Sequence, residues 1–232
     1  MMAQSRKRDI WAVAATNIWI LAIVCFMAFL YSNLRSYLPG VVDFIFGMIL
    51  WWFLLLLPIA FFMRRDKEMP RDIGFTKEKL PRQILLGVVL AICTLGVFNA
   101  ISSLTGTVEF HWGGMAYISV GATLASLALN LLTVALVEET IYRGYLFRKL
   151  QNINQASWFA VTVSAICFGA LHIPSFVFMQ GSTMGWYPVL MATLIGAVYG
   201  ICRMKRATLL TLIIAHGIHN AVQGVILPHM HY

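Results

Sequence analysis

Apolar stretches of about 20 residues, long enough to cross a hydrocarbon core as helix, recur at residues 11–31, 43–63, 83–104, 115–137, 156–172, 186–202 and 207–227. Nothing else in the sequence constrains the fold so strongly. In lipid every backbone N–H and C=O must be satisfied within the protein, so only helices and closed barrels span a bilayer. The stretches run continuously instead of alternating, which argues against a barrel. Composition agrees: 11% of the 232 residues are charged, against roughly 25% in a soluble domain. The expected fold is all-α, a polytopic transmembrane helical bundle of about seven spans. It forms one integral membrane domain over residues 1–232, with N-terminal spans in 1–114 and a core in 115–227.

The net charge of +8 suits either nucleic acid or the positive-inside rule, and its distribution favours the second. Arg6, Lys7 and Arg8 precede the first stretch. Arg64, Arg65, Lys67, Arg71, Lys77, Lys79 and Arg82 separate the second from the third. Arg143, Arg148 and Lys149 follow the fourth, and Arg203, Lys205 and Arg206 follow the sixth. With seven spans, all of the 17 Lys and Arg except Arg35 fall on one side. The expectation is a multi-pass protein of the cell (plasma) membrane with a cytoplasmic N-terminus and no nucleic-acid partner. Residues 64–82 become a cytosolic loop carrying a short interfacial helix, and the end bearing His229 and His231 lies opposite. The first apolar stretch is too long for a signal-peptide core and reads as a retained span. The four cysteines show neither a CxxC spacing nor a disulfide framework and read as packing residues.

Against this background the ionisable residues near or inside the stretches stand out, because each costs roughly 2.5–3.5 kcal/mol at mid-depth. They are Glu138, Glu139 and Arg143, then His172, then His216 and His219 beside Asn220. Asp43 begins a stretch and reads as a cap or interfacial residue. If the fourth helix continues to about Lys149, Glu139 and Arg143 are i and i+4 on one face, in the favourable order for an ion pair. Glu138 then points about 100° away, available as a general base. His216 and Asn220 are also i and i+4, with His219 one position off that stripe. His216 lies about 15 Å of helix beyond Arg206, and Glu138 lies at a similar depth from Lys149. His172 fits less well, at about 24 Å if its helix begins at 156.

Two chemistries suit this set. In one, Glu138 takes a proton from water oriented by His172, while His216 and Asn220 donate to the oxyanion of a tetrahedral intermediate. In the other, Glu138, His172 and His216 hold zinc with one position open for water. Spacing alone leaves both open. No HExxH occurs, Asp43 is the one candidate for an intramembrane aspartate pair, and Ser164 lacks a glycine-rich nucleophile turn. A proton-coupled transporter would use the same residues as a relay, but no internal repeat accompanies them.

The three motifs Glu138-Glu139-Thr140-Ile141-Tyr142-Arg143, Phe168-Gly169-Ala170-Leu171-His172 and His216-Gly217-Ile218-His219-Asn220 stand in the order EExxxR, FxxxH, HxxxN. That order resembles the Abi or CPBP family of intramembrane proteases, related to the type II CAAX prenyl proteases. The resemblance covers about 138–220 and implies an intramembrane endopeptidase acting near the cytosolic face on a membrane-associated peptide or protein. Under it Glu138 is the catalytic base, His172 assists the water, His216 and Asn220 stabilise the oxyanion, and Glu139 and Arg143 support them. Asn220 suits oxyanion binding better than ligation, so the glutamate-type mechanism is favoured over the zinc-dependent one, and no cofactor is expected. Within the same family a non-enzymatic bacteriocin-immunity or scaffold role is the alternative.

Overall fold

A computed structural model describes residues 2–34, 37, 51–104, 119–175, 177 and 186–226. Arg35, Asp43, His229 and His231, and the starts of the 43–63 and 115–137 stretches, lie outside them. Every regular element among the described residues is helical, and the protein is an all-α helical membrane bundle. The helices are α1 (Met2–Leu34), α2 (Trp51–Asp66), α3 (Leu80–Leu104), α4 (residues 120–153), α5 (Ser157–Ala170), α6 (Tyr187–Met204) and α7 (Leu209–Ile226). Four segments are long and apolar enough to cross a membrane: Gln4–Leu30, Leu80–Leu104, Thr123–Ile153 and Tyr187–Met204. Apolar but shorter are Ser157–Ala170 and Leu209–Gln223. Pro81 and Pro188 fall in the first turns of α3 and α6, where the lost N–H would have had no intrahelical partner. The 64–82 connection holds a single 3-10 turn, Pro70–Ile73, where a short interfacial helix was expected.

The chain gathers into two compact units. One contains α1, α2, the 140–153 part of α4, α5 and α6. Its tightest packing joins α5 to α6. Gly196 and Gly200 form a GxxxG pair whose missing side chains face Ala165 and Val161, where an added Cβ would sit 3.2 Å from each residue. Small residues let helix backbones approach when lipid offers no hydrophobic drive for association. Beside this contact Phe147, Leu150, Ala160 and Val161 form a buried cluster. Lys149, almost fully buried, lies 2.8 Å from Asp66, 3.0 Å from Glu68 and 3.1 Å from Asp9. These contacts tie the ends of α1, α2 and α4 together.

The other unit contains α3, the 120–139 part of α4, and α7. Here α7 packs on α3 and on residues 120–139. The buried face of α3 is Gln83, Gly87, Ala91, Thr94, Phe98 and Ser102, a helical period of small and polar residues. Opposite it, Ile84, Leu85, Val89 and Ile92 are exposed, as a lipid-facing side requires.

Candidate active site

Two glycines set where α7 runs. A Cβ on Gly87 of α3 would lie 2.8 Å from Ile214, and one on Gly217 would lie 2.5 Å from Leu131 of α4. Neither neighbour leaves room for a methyl group, so α7 approaches both helices closely. Leu209 and Ile213 share a buried cluster with Ala135, which sets the register one to two turns before His216. On the α3 side Thr208 donates to Gln83 Oε1 at 2.6 Å and Thr211 to the Gln83 carbonyl at 3.2 Å.

That register delivers His216 to the acidic pair. His216 Nδ1 lies 2.8 Å from Glu139 Oε1, and Nε2 lies 3.6 Å from Glu138 Oε2. Glu139 is fully buried, whereas the Glu138 side chain keeps 14% of its surface exposed. A carboxylate accepts and does not donate, so an ionised Glu139 fixes Nδ1 as an N–H and leaves Nε2 to Glu138. The 3.6 Å gap is longer than a hydrogen bond and of the size a bridging water spans. Asn220, one turn beyond His216, is half-buried and has no hydrogen-bond partner among the described residues.

The backbone carrying the acids is not a uniform α-helix. Asn130–Ala135 and Thr140–Leu146 are π-helical, and Leu136–Glu139 is one α turn between them. Such widened turns are rare and concentrate at functional sites. From Thr140 onward the backbone between Glu139 and Arg143 is π-helical where α geometry was expected. Glu139 is engaged by His216, a partner the sequence reading had assigned to the oxyanion alone.

Arg143 and His172 belong to the first unit. The buried Arg143 guanidinium lies over the Phe168 ring, 4.2 Å from its centroid, and within 5.7 Å of the Tyr199 ring. Cation–π contacts of this kind are worth about 2 kcal/mol when desolvated. Arg203 donates to the Arg143 carbonyl at 3.0 Å and to the Ile73 carbonyl at 3.1 Å. It thus serves the loosened backbone of the wide turn. Gly74, in the left-handed region at φ 108°, abuts the same guanidinium, where a side chain would collide.

His172 lies just past the end of α5, in a turn, instead of closing the helix. Its Nδ1 is 3.0 Å from the Phe168 carbonyl. A carbonyl only accepts, so Nδ1 carries the proton and Nε2 presents a lone pair when the ring is neutral. The Phe168 ring meets the imidazole edge-on at 5.2 Å, so Phe168 touches both Arg143 and His172.

His219 and Thr94 escaped the sequence reading as a pair. His219 Nδ1 lies 3.4 Å from Thr94 Oγ1, which is itself 3.0 Å from the Leu90 and Ala91 carbonyls. The Thr94 hydroxyl donates to a carbonyl and accepts from His219. Further along, Gln223 donates to Asn99 at 3.3 Å. Polar residues recurring at helical spacing in α3 were the available signal.

Residues 120–222 match the family model described as type II CAAX prenyl endopeptidase Rce1-like. The match is a similarity over less than half of the 232 residues. The matched segment contains Glu138, Glu139, Arg143, Phe168, His172, His216 and Asn220, so all three motifs fall inside it. No curated protein and no solved structure gives a significant match. Among the described residues no group of three His, Cys, Asp or Glu side chains is arranged to hold a metal ion.

Proposed function

We propose that this protein is an intramembrane endopeptidase that hydrolyses a peptide bond of a membrane-associated peptide or protein near the cytosolic face, with Glu138 activating water. The observation that carries the reading is the Glu138–His216–Glu139 cluster within the Rce1-like segment. Its members differ in a useful way: Glu139 is fully buried against His216, whereas the Glu138 side chain keeps 14% of its surface exposed.

The proposed sequence follows from that asymmetry. When both ring nitrogens donate, His216 gives Nδ1–H to Glu139 and presents Nε2–H toward Glu138. Glu138 removes a proton from water as the oxygen attacks the carbonyl carbon. Once protonated, Glu138 no longer competes for Nε2–H, which turns to the developing oxyanion together with the Asn220 amide. Stabilising charge where it appears is commonly the largest catalytic term. Collapse of the intermediate breaks the C–N bond, and the proton on Glu138 passes to the leaving amine. Arg143 acts through Phe168, holding the ring against which His172 rests. No step requires a metal.

The test is cleavage of membrane-associated peptides by purified protein. Glu138→Gln keeps the shape and is expected to lower turnover by at least about a hundredfold while leaving the melting temperature unchanged. Turnover near wild type in this variant removes Glu138 as the base. Activity is expected to survive exhaustive chelation. Loss on chelation with recovery on adding zinc favours the alternative in which Glu138, His172 and His216 ligate a metal.

A further inference from the structure

A polar cavity of about 820 Å³ lies where the start of α1 meets the end of α4, lined by Ser5, Arg6, Gln151, Asn152, Asn154 and Gln155. It contains none of the residues of the hydrolytic cluster. The candidate spans Gln4–Leu30 and Thr123–Ile153, drawn by length and composition, begin and end beside it. Trp11 and Trp158, both largely exposed, flank its two walls in sequence, as interfacial anchors do.

The wall groups divide into donors and acceptors. Arg6 makes no ion pair among the described residues. The nearby acids are already spent: Asp9 accepts from Lys149 at 3.1 Å and from Asn152 at 3.2 Å, and Asp66 is held by Lys149 and Arg65. Asn154 Oδ1 accepts from the Ala156 N–H at 3.0 Å, which leaves its amide hydrogens as donors. Asn152 gives its amide hydrogens to Asp9, which leaves Oδ1 as an acceptor. The final α-helical turn of α4 ends at Ile153, so the carbonyls of Gln151, Asn152 and Ile153 have no intrahelical donor and carry the negative end of the helix dipole.

A simple anion fits Arg6 and Asn154 but opposes the helix end. A ligand with a phosphate and, a short distance away, a cationic N–H donor satisfies both walls. We propose that this cavity is a binding site for the phosphoethanolamine headgroup of a membrane lipid. The phosphate lies on Arg6 and the Asn154 amide. The ammonium lies on Asn152 Oδ1 and the last carbonyls of α4.

The experiment uses the full-length protein in detergent and reads lipid binding by native mass spectrometry and by melting-temperature shift. The probes are short-chain phosphatidylethanolamine, phosphatidylcholine, phosphatidylglycerol and inorganic phosphate. Phosphatidylethanolamine is expected to bind most tightly. Phosphatidylcholine carries the same charges but no N–H donor and is expected to bind about tenfold more weakly. Arg6→Gln is expected to weaken phosphatidylethanolamine about tenfold, and Lys7→Gln, next to it but outside the lining, less than about threefold. Arg6→Gln melts like wild type without lipid, since Arg6 pairs with no described residue. Equal binding of the ethanolamine and choline lipids overturns the proposal, as does equal weakening by the two substitutions. Protection by inorganic phosphate as strong as by lipid identifies a soluble-phosphate site and also overturns it.

Discussion

Replacing Lys149 by Met keeps the length of the side chain and removes its charge. In the native protein that charge faces Asp9, Asp66 and Glu68 at 2.8–3.1 Å from within a nearly sealed site. Deleting one partner of a buried ionic group costs about 3–5 kcal/mol, because the other charges stay buried without compensation. Arg65, 2.9 Å from Asp66, and Arg148, 3.7 Å from Glu68, remain at the rim, which places the expected cost near about 3 kcal/mol. For a chain of this size that is a fall of roughly 6–12 °C in melting temperature at pH 7. The pH dependence is the sharper test. Burial alone would raise the Asp66 carboxyl, but hydrogen bonds from Arg65 and Lys149 bring it from 3.8 down to about 2. This depression contributes about 2 kcal/mol, present above pH 4 and lost as pH falls toward 2. Without Lys149 one of the two hydrogen bonds that depress Asp66 is gone, so acid removes less stability from the variant than from the wild type. The gap in melting temperature is therefore expected to stay constant from pH 7 to about pH 4 and to narrow as pH falls toward 2.5 in the same detergent, the two values compared being pH 7 and pH 2.5. A fall below about 2 °C at pH 7, or an equal gap at both pH values, refutes the reasoning.

Two more predictions concern the hydrolytic cluster. Glu139→Gln retains an acceptor for His216 Nδ1–H but weakens that hydrogen bond by removing the charge. The expected result is a roughly tenfold lower kcat with KM nearly unchanged; an unaltered kcat removes Glu139 from the mechanism. Gly217→Ala sets a methyl group 2.5 Å from Leu131 and is expected to cost about 1–3 kcal/mol by overpacking. It should depress turnover beyond the stability loss by moving His216 away from the acids. Wild-type activity and melting in that variant would mean that the close approach of α7 to α4 is dispensable.

What could be read from the sequence follows from the solvent it describes. Lipid leaves a long apolar segment few options, so helices lie at each of the expected stretches. The same solvent makes every retained charge conspicuous, which is why Glu138, Glu139 and His216 stood out before their contact was visible. Their meeting was legible as matched depth from Lys149 and Arg206. That His216 would take Glu139 as well as Glu138 was not, because it depends on how two helices rotate against each other. That rotation is set by Gly87 and Gly217, and by π turns that have no residue signature of their own. The contacts of Lys149 with Asp9, Asp66 and Glu68 join sites far apart in the chain, and no local period announces such a meeting.

Gly196 has a second consequence. A Cβ there would stand 3.2 Å from both an Arg143 guanidinium nitrogen and the Phe168 ring. The bare backbone of α6 is thus one wall of a slot that admits a flat cation and nothing thicker. A single methyl group on α6 would press on the arginine and its aromatic seat and shift them by a few tenths of an ångström, so the orientation of one motif answers to a hydrogen atom belonging to none of the three.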